Sequence, residues 1–178
     1  FFIVSAHREE NIDSDKNFYK LVDVLNTVAE SYGYPVIVST HPRTKKRLDS
    51  LGREGGSPLV RFVKPFGLLD YIKLQKSAFC VLSDSGTITE ESSLLNFPAV
   101  TIRNTHERPE GMDEGVLIMC GLKSEGVLNA VAVVTSQHDN ENRVMSVVGD
   151  YEGGAVSKKI VRLVLSYTDY INRTVWKK

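Results

Sequence analysis

The sequence predicts a doubly wound α/β domain, a parallel sheet with helices on both of its faces. Three observations carry the prediction. Short apolar runs rich in Val, Ile and Phe recur along most of the chain. Each is followed by a segment with helical period, the pattern of βαβ units. No internal repeat, low-complexity tract or interdomain linker interrupts the series, so residues 1–178 are read as a single domain.

Residues 1–5 (FFIVS) are too short and too β-rich for a helix and read as the first strand. Asp13 or Ser14 then offers an N-cap to a helix with Phe18, Leu21, Leu25, Val28 and Tyr32 on one face, and Gly33 sits where a C′ residue belongs. Residues 35–40 (PVIVST) form the second strand, followed by a basic helix to about Leu51 and a loose turn at 52–58. A strand at 59–63 leads to a helix over about 68–76 and a strand at 78–83 (AFCVLS). The triplet Asp84-Ser85-Gly86 opens a helix to about Asn96, and 98–103 (PAVTIR) is the strand after it. Residues 104–114 read as a polar segment and 116–120 as a short strand. Ser124 is expected to cap a helix through Val134, and 160–176 form a closing helix after a polar turn at 137–142.

Bulk properties narrow the function. The 178 residues are 42% hydrophobic and 25% charged, ordinary for one globular domain whose core needs no disulfide or structural metal. Lys plus Arg equals Asp plus Glu at 22 each, which argues against a nucleic-acid or membrane-surface binder. The one dense basic patch, residues 43–47 (RTKKR), reads as the solvated face of a short helix. Cys80 and Cys120 lie in separate apolar runs outside any CxxC pattern, as buried free thiols of a reducing, cytoplasmic setting would. No apolar run reaches the length of a membrane span, and the start at Phe1 lacks the features of a signal peptide. An opening in mid-strand without Met is what an excised domain would show.

In a doubly wound sheet, ligands bind outside the carboxyl ends of the strands. Those positions here are His7-Arg8-Glu9, His41-Pro42-Arg43, Lys64-Pro65-Phe66, Asp84-Ser85-Gly86 and residues 103–110 (RNTHERPE), a concentration of His, Arg and carboxylates. The segment 84–91 (DSGTITEE) is the most informative. A helix N-terminus presents unpaired N–H groups and partial positive charge to a phosphate. Gly86 has no side chain to hold an anion away, and Ser85 and Thr87 can add hydroxyl donors. Glu91 follows Thr87 on one helix face and lies roughly one ribose length (about 1.5 Å per residue) beyond Gly86, suited to accept from two vicinal hydroxyls. The same residues also fit a plain N-cap with first-turn acidic charges, and spacing leaves both readings open. SDSG lacks the GxSxG elbow of a serine nucleophile.

His7 and His41 share the sheet edge, where either could serve as general acid or base or as a phosphate partner with Arg8. Their spacing does not suit a metal, and no metal or other cofactor is expected. Arg103 directly follows a strand and is a natural diphosphate partner. Tyr71 could face a base, although core packing is the commoner fate of such an aromatic. Glu107, Arg108 and Glu110 are secondary candidates in the 103–110 loop, where His106 fits a site role and an exposed turn equally; His138 is read as inert.

Taken in order, SAHREEN (5–11), STHPR (39–43), KPFGLLDYIKLQ (64–75), SDSGTITEES (83–92) and IRNTHERPEG (102–111) resemble the non-hydrolysing UDP-N-acetylglucosamine 2-epimerase family. The resemblance covers residues 1 to about 125 and implies the Rossmann-like carboxyl-terminal half of a GT-B fold, with the amino-terminal domain missing. It implies a parent enzyme that inverts C2 of a UDP-N-acetylhexosamine by eliminating UDP and adding it back to a glycal-like intermediate, and a fragment that is inactive alone. Ser85, Gly86 and Thr87 would contact the diphosphate, Glu91 the ribose and Tyr71 the uracil region. Arg103 would lie near the phosphates, and His7 and His41 near the leaving diphosphate. The chain departs from the family in having Thr87 where better-known members have a second Gly. It looks closer to a subgroup making UDP-N-acetyl-L-fucosamine from 6-deoxy sugars. The carboxylates that move the C2 proton belong to the other domain. A homodimer of the full-length enzyme is one expectation, and polysaccharide biosynthesis the expected setting.

Two other readings use the same residues: the nucleotide-sugar half of a GT-B glycosyltransferase, and a non-catalytic nucleotide-binding module. The HERPEG loop favours the epimerase over the first. The crowding of His, Arg and Glu at one sheet edge argues against the second.

Overall fold

Six parallel strands in the order β3-β2-β1-β4-β5-β6 form the framework: β1 (Phe2–Ser5), β2 (Val36–Ser39), β3 (Val60–Val63), β4 (Cys80–Ser83), β5 (Ala99–Thr101) and β6 (Ile118–Met119). The structure is a computed structural model that describes residues 1–50, 56–105 and 108–178, apart from the side chains of Arg43, Asp49 and Ser50. The helices are α1 (Glu9–Ile12), α2 (Asp15–Tyr32), α3 (Pro42–Ser50), α4 (Leu68–Ser77), α5 (Thr87–Leu95), α6 (Pro109–Asp113), α7 (Ser124–Ser136) and α8 (Val156–Thr174). Two compact units result, Phe1–Val148 with the whole sheet and Gly149–Lys178 with α8. Within the second, α8 carries Ile160, Leu163, Val164, Tyr167 and Tyr170 at helical spacing, and the rings of Tyr167 and Tyr170 meet edge-on at 6.2 Å. No helix among the described residues is long and apolar enough to cross a membrane.

The expected doubly wound α/β class is what the chain adopts. Successive strand residues serve opposite faces. Phe2 and Val4 of β1, with Cys80 and Leu82 of β4, join a core built with Phe18, Leu25 and Val28 of α2 and Val127 and Val131 of α7. Ile3 and Val81, their neighbours in sequence, point into a smaller core with Ile88 of α5, Phe97 and Leu117, against which Tyr71 and Leu74 of α4 pack. Near-continuous apolar runs are needed because neither face is wet.

Local signals set the helix ends. Ser14 is the N-cap of α2, its Oγ accepting from Asn17 N–H at 3.4 Å, and Gly33 closes the helix at φ +65°, where side chains are disfavoured. Two readings need refinement. The polar segment 104–114 contains an element, since Pro109 starts the short helix α6, where its missing N–H costs nothing. Ser124 is the first residue of α7 rather than its cap; Lys123 is the cap, and the Ser124 hydroxyl donates to Asp23 at 2.7 Å. Residues 9–12, to which the sequence assigned no element, form one turn of helix, α1. The turn read at 52–58 lies partly outside the described residues.

The strand ends are level. Ser5 pairs in register with Ser39 on one side and Ser83 on the other, and Ser83 with Thr101. The strand order reverses between β1 and β4, so the loops leaving these strands diverge and open a crevice between 6–8 and 84–86.

Candidate nucleotide site at the β1–β4 crevice

Asp84, fully buried, ties the two sides of the crevice together. Its carboxylate accepts from His7 N–H through both oxygens at 3.1 Å, from Arg8 N–H at 3.0 Å and from Asn11 Nδ2 at 3.0 Å. The loop after β1 is thereby fastened to the turn after β4. His7 itself is exposed, its Nδ1 3.4 Å from Ser5 Oγ and 3.8 Å from Asp84 Oδ1.

The turn then enters α5. Ser85 N–H donates to the buried Ser83 Oγ at 3.0 Å, which fixes the turn from below. Gly86 is the N-cap, at φ −66° and ψ −29°, so its backbone does not demand glycine. What glycine supplies there is open access to the helix end. The Ser85 and Thr87 hydroxyls lie 3.0 Å apart over that end, and Ser85 Oγ also accepts from Thr87 N–H at a long 3.4 Å. Ser85, read as a possible N-cap, thus lies one residue before the cap, although its hydroxyl reaches the first N–H of α5.

Arg103 is buried and lines a hollow beside the α5 N-terminus with Ser85, Gly86, Thr89, Thr105 and Arg108. Arg108 is engaged there: its Nε donates to Glu90 Oε1 at 2.7 Å, joining the 103–110 loop to α5. Gly111 permits the same approach from α6, since a Cβ on it would collide with Thr89 Cγ2. Glu110 is on the first turn of α6. Glu107 and His106 lie outside the described residues. Arg8 is half-buried with Nη1 3.8 Å from Glu10.

On the other side of α5, Glu91 faces α4. Gln75 of α4 donates from Nε2 to Glu91 Oε2 at 2.5 Å, although Gln75 is fully buried. Tyr71, one turn earlier on α4, packs against the smaller core with its phenol toward the crevice. Burial raises that phenol to about 12, opposed by hydrogen bonding from Ser5 and Gln75 and reinforced by the Glu91 and Asp84 carboxylates. Tyr71 thus combines core packing with a polar end at the crevice.

His41 is exposed at the end of β2, the strand next to β1. The basic stretch lies on α3, where Arg47 pairs with Asp15 of α2. Cys80 is buried and Cys120 half-buried, both as free thiols; burial raises Cys120 to about 12 and pushes Cys80 up as well. His138 lines a separate hollow with Asn96, Phe97 and Arg143, at the opposite end of the strands.

Sequence reading missed Asn11 and Gln75 as parts of this arrangement. Their partners are 73 and 16 residues away, and no periodic signal marks either.

A parallel sheet of order 3-2-1-4-5-6, with a helix N-terminus and polar loops at its switch point, is a Rossmann-like nucleotide-binding domain. Residues 1–165 match the family model described as UDP-N-acetylglucosamine 2-epimerase, and the chain belongs to that family. A UDP-N-acetylglucosamine 2-epimerase of Methanococcus maripaludis is 33% identical over 164 residues, 90% of this chain and 44% of the relative. The structure of UDP-N-acetylglucosamine 2-epimerase from Rickettsia bellii superposes with a TM-score of 0.87 at 52% identity, over 99% of this chain and 47% of that one. The Methanocaldococcus jannaschii UDP-GlcNAc 2-epimerase, solved in complex with UDP-GlcNAc and UDP, does so with a TM-score of 0.82 at 30% identity, over 93% of this chain and 45% of that one. The chain therefore spans about half the length of these relatives.

Proposed function

We propose that this chain is the UDP-binding half of an enzyme that inverts C2 of a UDP-N-acetylhexosamine, either UDP-GlcNAc/UDP-ManNAc or a 6-deoxy analogue. The observation that carries the reading is the N-terminus of α5 at the strand-order switch, with the Ser85 and Thr87 hydroxyls 3.0 Å apart beside it. Membership of the epimerase family and the UDP-GlcNAc and UDP held by the M. jannaschii relative support it.

In this reading the diphosphate sits on the α5 N-terminus, held by Ser85, Gly86 and Thr87, with Arg103 and Arg8 supplying positive charge. Glu91 accepts from the ribose hydroxyls, and the uracil lies toward Tyr71. A base from the part of the enzyme outside this chain removes the C2 proton. The C1–O bond then breaks, and its electron pair leaves with the β-phosphate. Fixed donors at the diphosphate stabilise that developing charge at no cost of reorganisation during the reaction. His7 and His41, at the same sheet edge, act on the leaving diphosphate by donating a hydrogen bond or a proton. Re-addition of UDP to the glycal-like intermediate, with protonation of C2 from the opposite face, completes the inversion. Residues 1–178 act as one UDP-binding domain, incomplete without the partner half, in a cytoplasmic enzyme.

The test is incubation of the intact protein with a UDP-N-acetylhexosamine in heavy water. Deuterium at C2 of the recovered sugar nucleotide is the expected result. Sugar transfer to an acceptor with no C2 exchange would instead assign the site to a glycosyltransferase.

A further inference from the structure

Gln75 is a buried polar side chain at the edge of this site. It is fully buried on α4, next in sequence to Leu74, which packs against the smaller core. Its Nε2 donates to Glu91 Oε2 at 2.5 Å, while its Oε1 has no hydrogen-bond partner among the described residues. A buried amide oxygen without a donor costs stability, and an apolar side chain of equal size would avoid that cost. What the amide provides is a charge-assisted hydrogen bond to the Glu91 carboxylate, beside its hydrogen bond to the Tyr71 phenol.

We propose that Gln75 is a positioning residue, orienting Glu91 in advance for the ribose diol and making the site discriminate ribo- from 2′-deoxyribonucleotides. The inference rests on the reading of Glu91 as the ribose acceptor. A glutamate on a helix surface samples several rotamers, and fixing one before the ligand arrives removes an ordering cost from binding. Two vicinal hydroxyls need both carboxylate oxygens at a set spacing, so the gain falls on the diol. A 2′-deoxy sugar, which offers one hydroxyl, benefits less. Thr87 and Glu91 are one turn apart on α5, so the diphosphate and ribose contacts then sit on one rigid element, with α4 bracing it.

The experiment measures UDP and 2′-deoxy-UDP affinities by calorimetry for the intact protein and for its Gln75→Leu, Gln75→Met and Glu91→Ala variants, with melting temperatures alongside. The wild type should prefer UDP. Either Gln75 variant should lose roughly 3- to 10-fold in UDP affinity while 2′-deoxy-UDP changes less, so that the preference shrinks. Its melting temperature should hold or rise, because the unpaired Oε1 has gone. The methionine variant, unbranched like glutamine, serves if leucine does not fit. If Glu91→Ala removes the preference and the Gln75 variants keep it, the role of Gln75 is overturned and the ribose reading stands. If Glu91→Ala also keeps the preference, or the wild type binds no UDP, both fall.

Discussion

The Asp84 carboxylate accepts the backbone N–H of His7 through both of its oxygens, at 3.1 Å each. Asp84 is fully buried, so the loop carrying His7 is held from inside the fold. In Asp84→Asn one of the oxygens facing His7, Arg8 and Asn11 becomes a donor, leaving buried N–H groups without acceptors. Chemical denaturation should show a loss of about 2–4 kcal/mol. Unchanged stability would mean that the loop after β1 does not depend on Asp84.

Gly111 brings a similar dependence to the other side of α5. A Cβ there would run into Thr89 Cγ2 and lie 3.3 Å from Val116 Cγ2. Gly111→Ala should therefore cost about 1–3 kcal/mol by overpacking. Adding Thr89→Ser, which deletes the opposing methyl, should restore much of the loss. Thermal melting of the single and double variants checks this, and additive effects would contradict the close seating of α6 on α5.

Tyr71 gives the fold an alkaline limit. Its phenol titrates near about 12 when folded, against 10.0 for the ordinary group. The unfolded chain thus gives up this proton first as pH rises. The stability contributed by the neutral phenol is whole below about pH 10 and is lost between there and about pH 12. The buried thiols of Cys80 and Cys120 act in the same direction. Urea unfolding between about pH 9 and pH 11 should therefore show a shallower decline for Tyr71→Phe than for the parent. Identical slopes would mean that Tyr71 is not withdrawn from water.

The sheet was legible because the central strands are apolar on both faces, which left 2–4, 36–38 and 80–82 as unbroken runs of Phe, Ile, Val, Leu and Cys. Ser14 and Gly33 marked α2 by chemistry local to its ends. Residues 109–113 showed no apolar period, so a one-turn helix begun by Pro109 looked like loop. Dipole-complementing charge was one of two readings left open for the acidic pair of α5, and neither anticipated that Glu90 meets Arg108 and Glu91 meets Gln75. Such pairings depend on which helices the fold makes neighbours, and no spacing rule within one segment encodes them. The order of polar residues after the strands was readable, and it led to the crevice because the strand order reverses there.

In the proposed function the turn from β4 into α5 holds UDP. Calorimetric titration of the intact protein with UDP, for the parent chain and for Ser85→Ala and Glu91→Ala, tests it most directly. Loss of a hydrogen bond to a charged phosphate should weaken Ser85→Ala by roughly ten-fold or more, and Glu91→Ala should weaken too through the ribose. UDP binding unchanged in both variants would contradict the site.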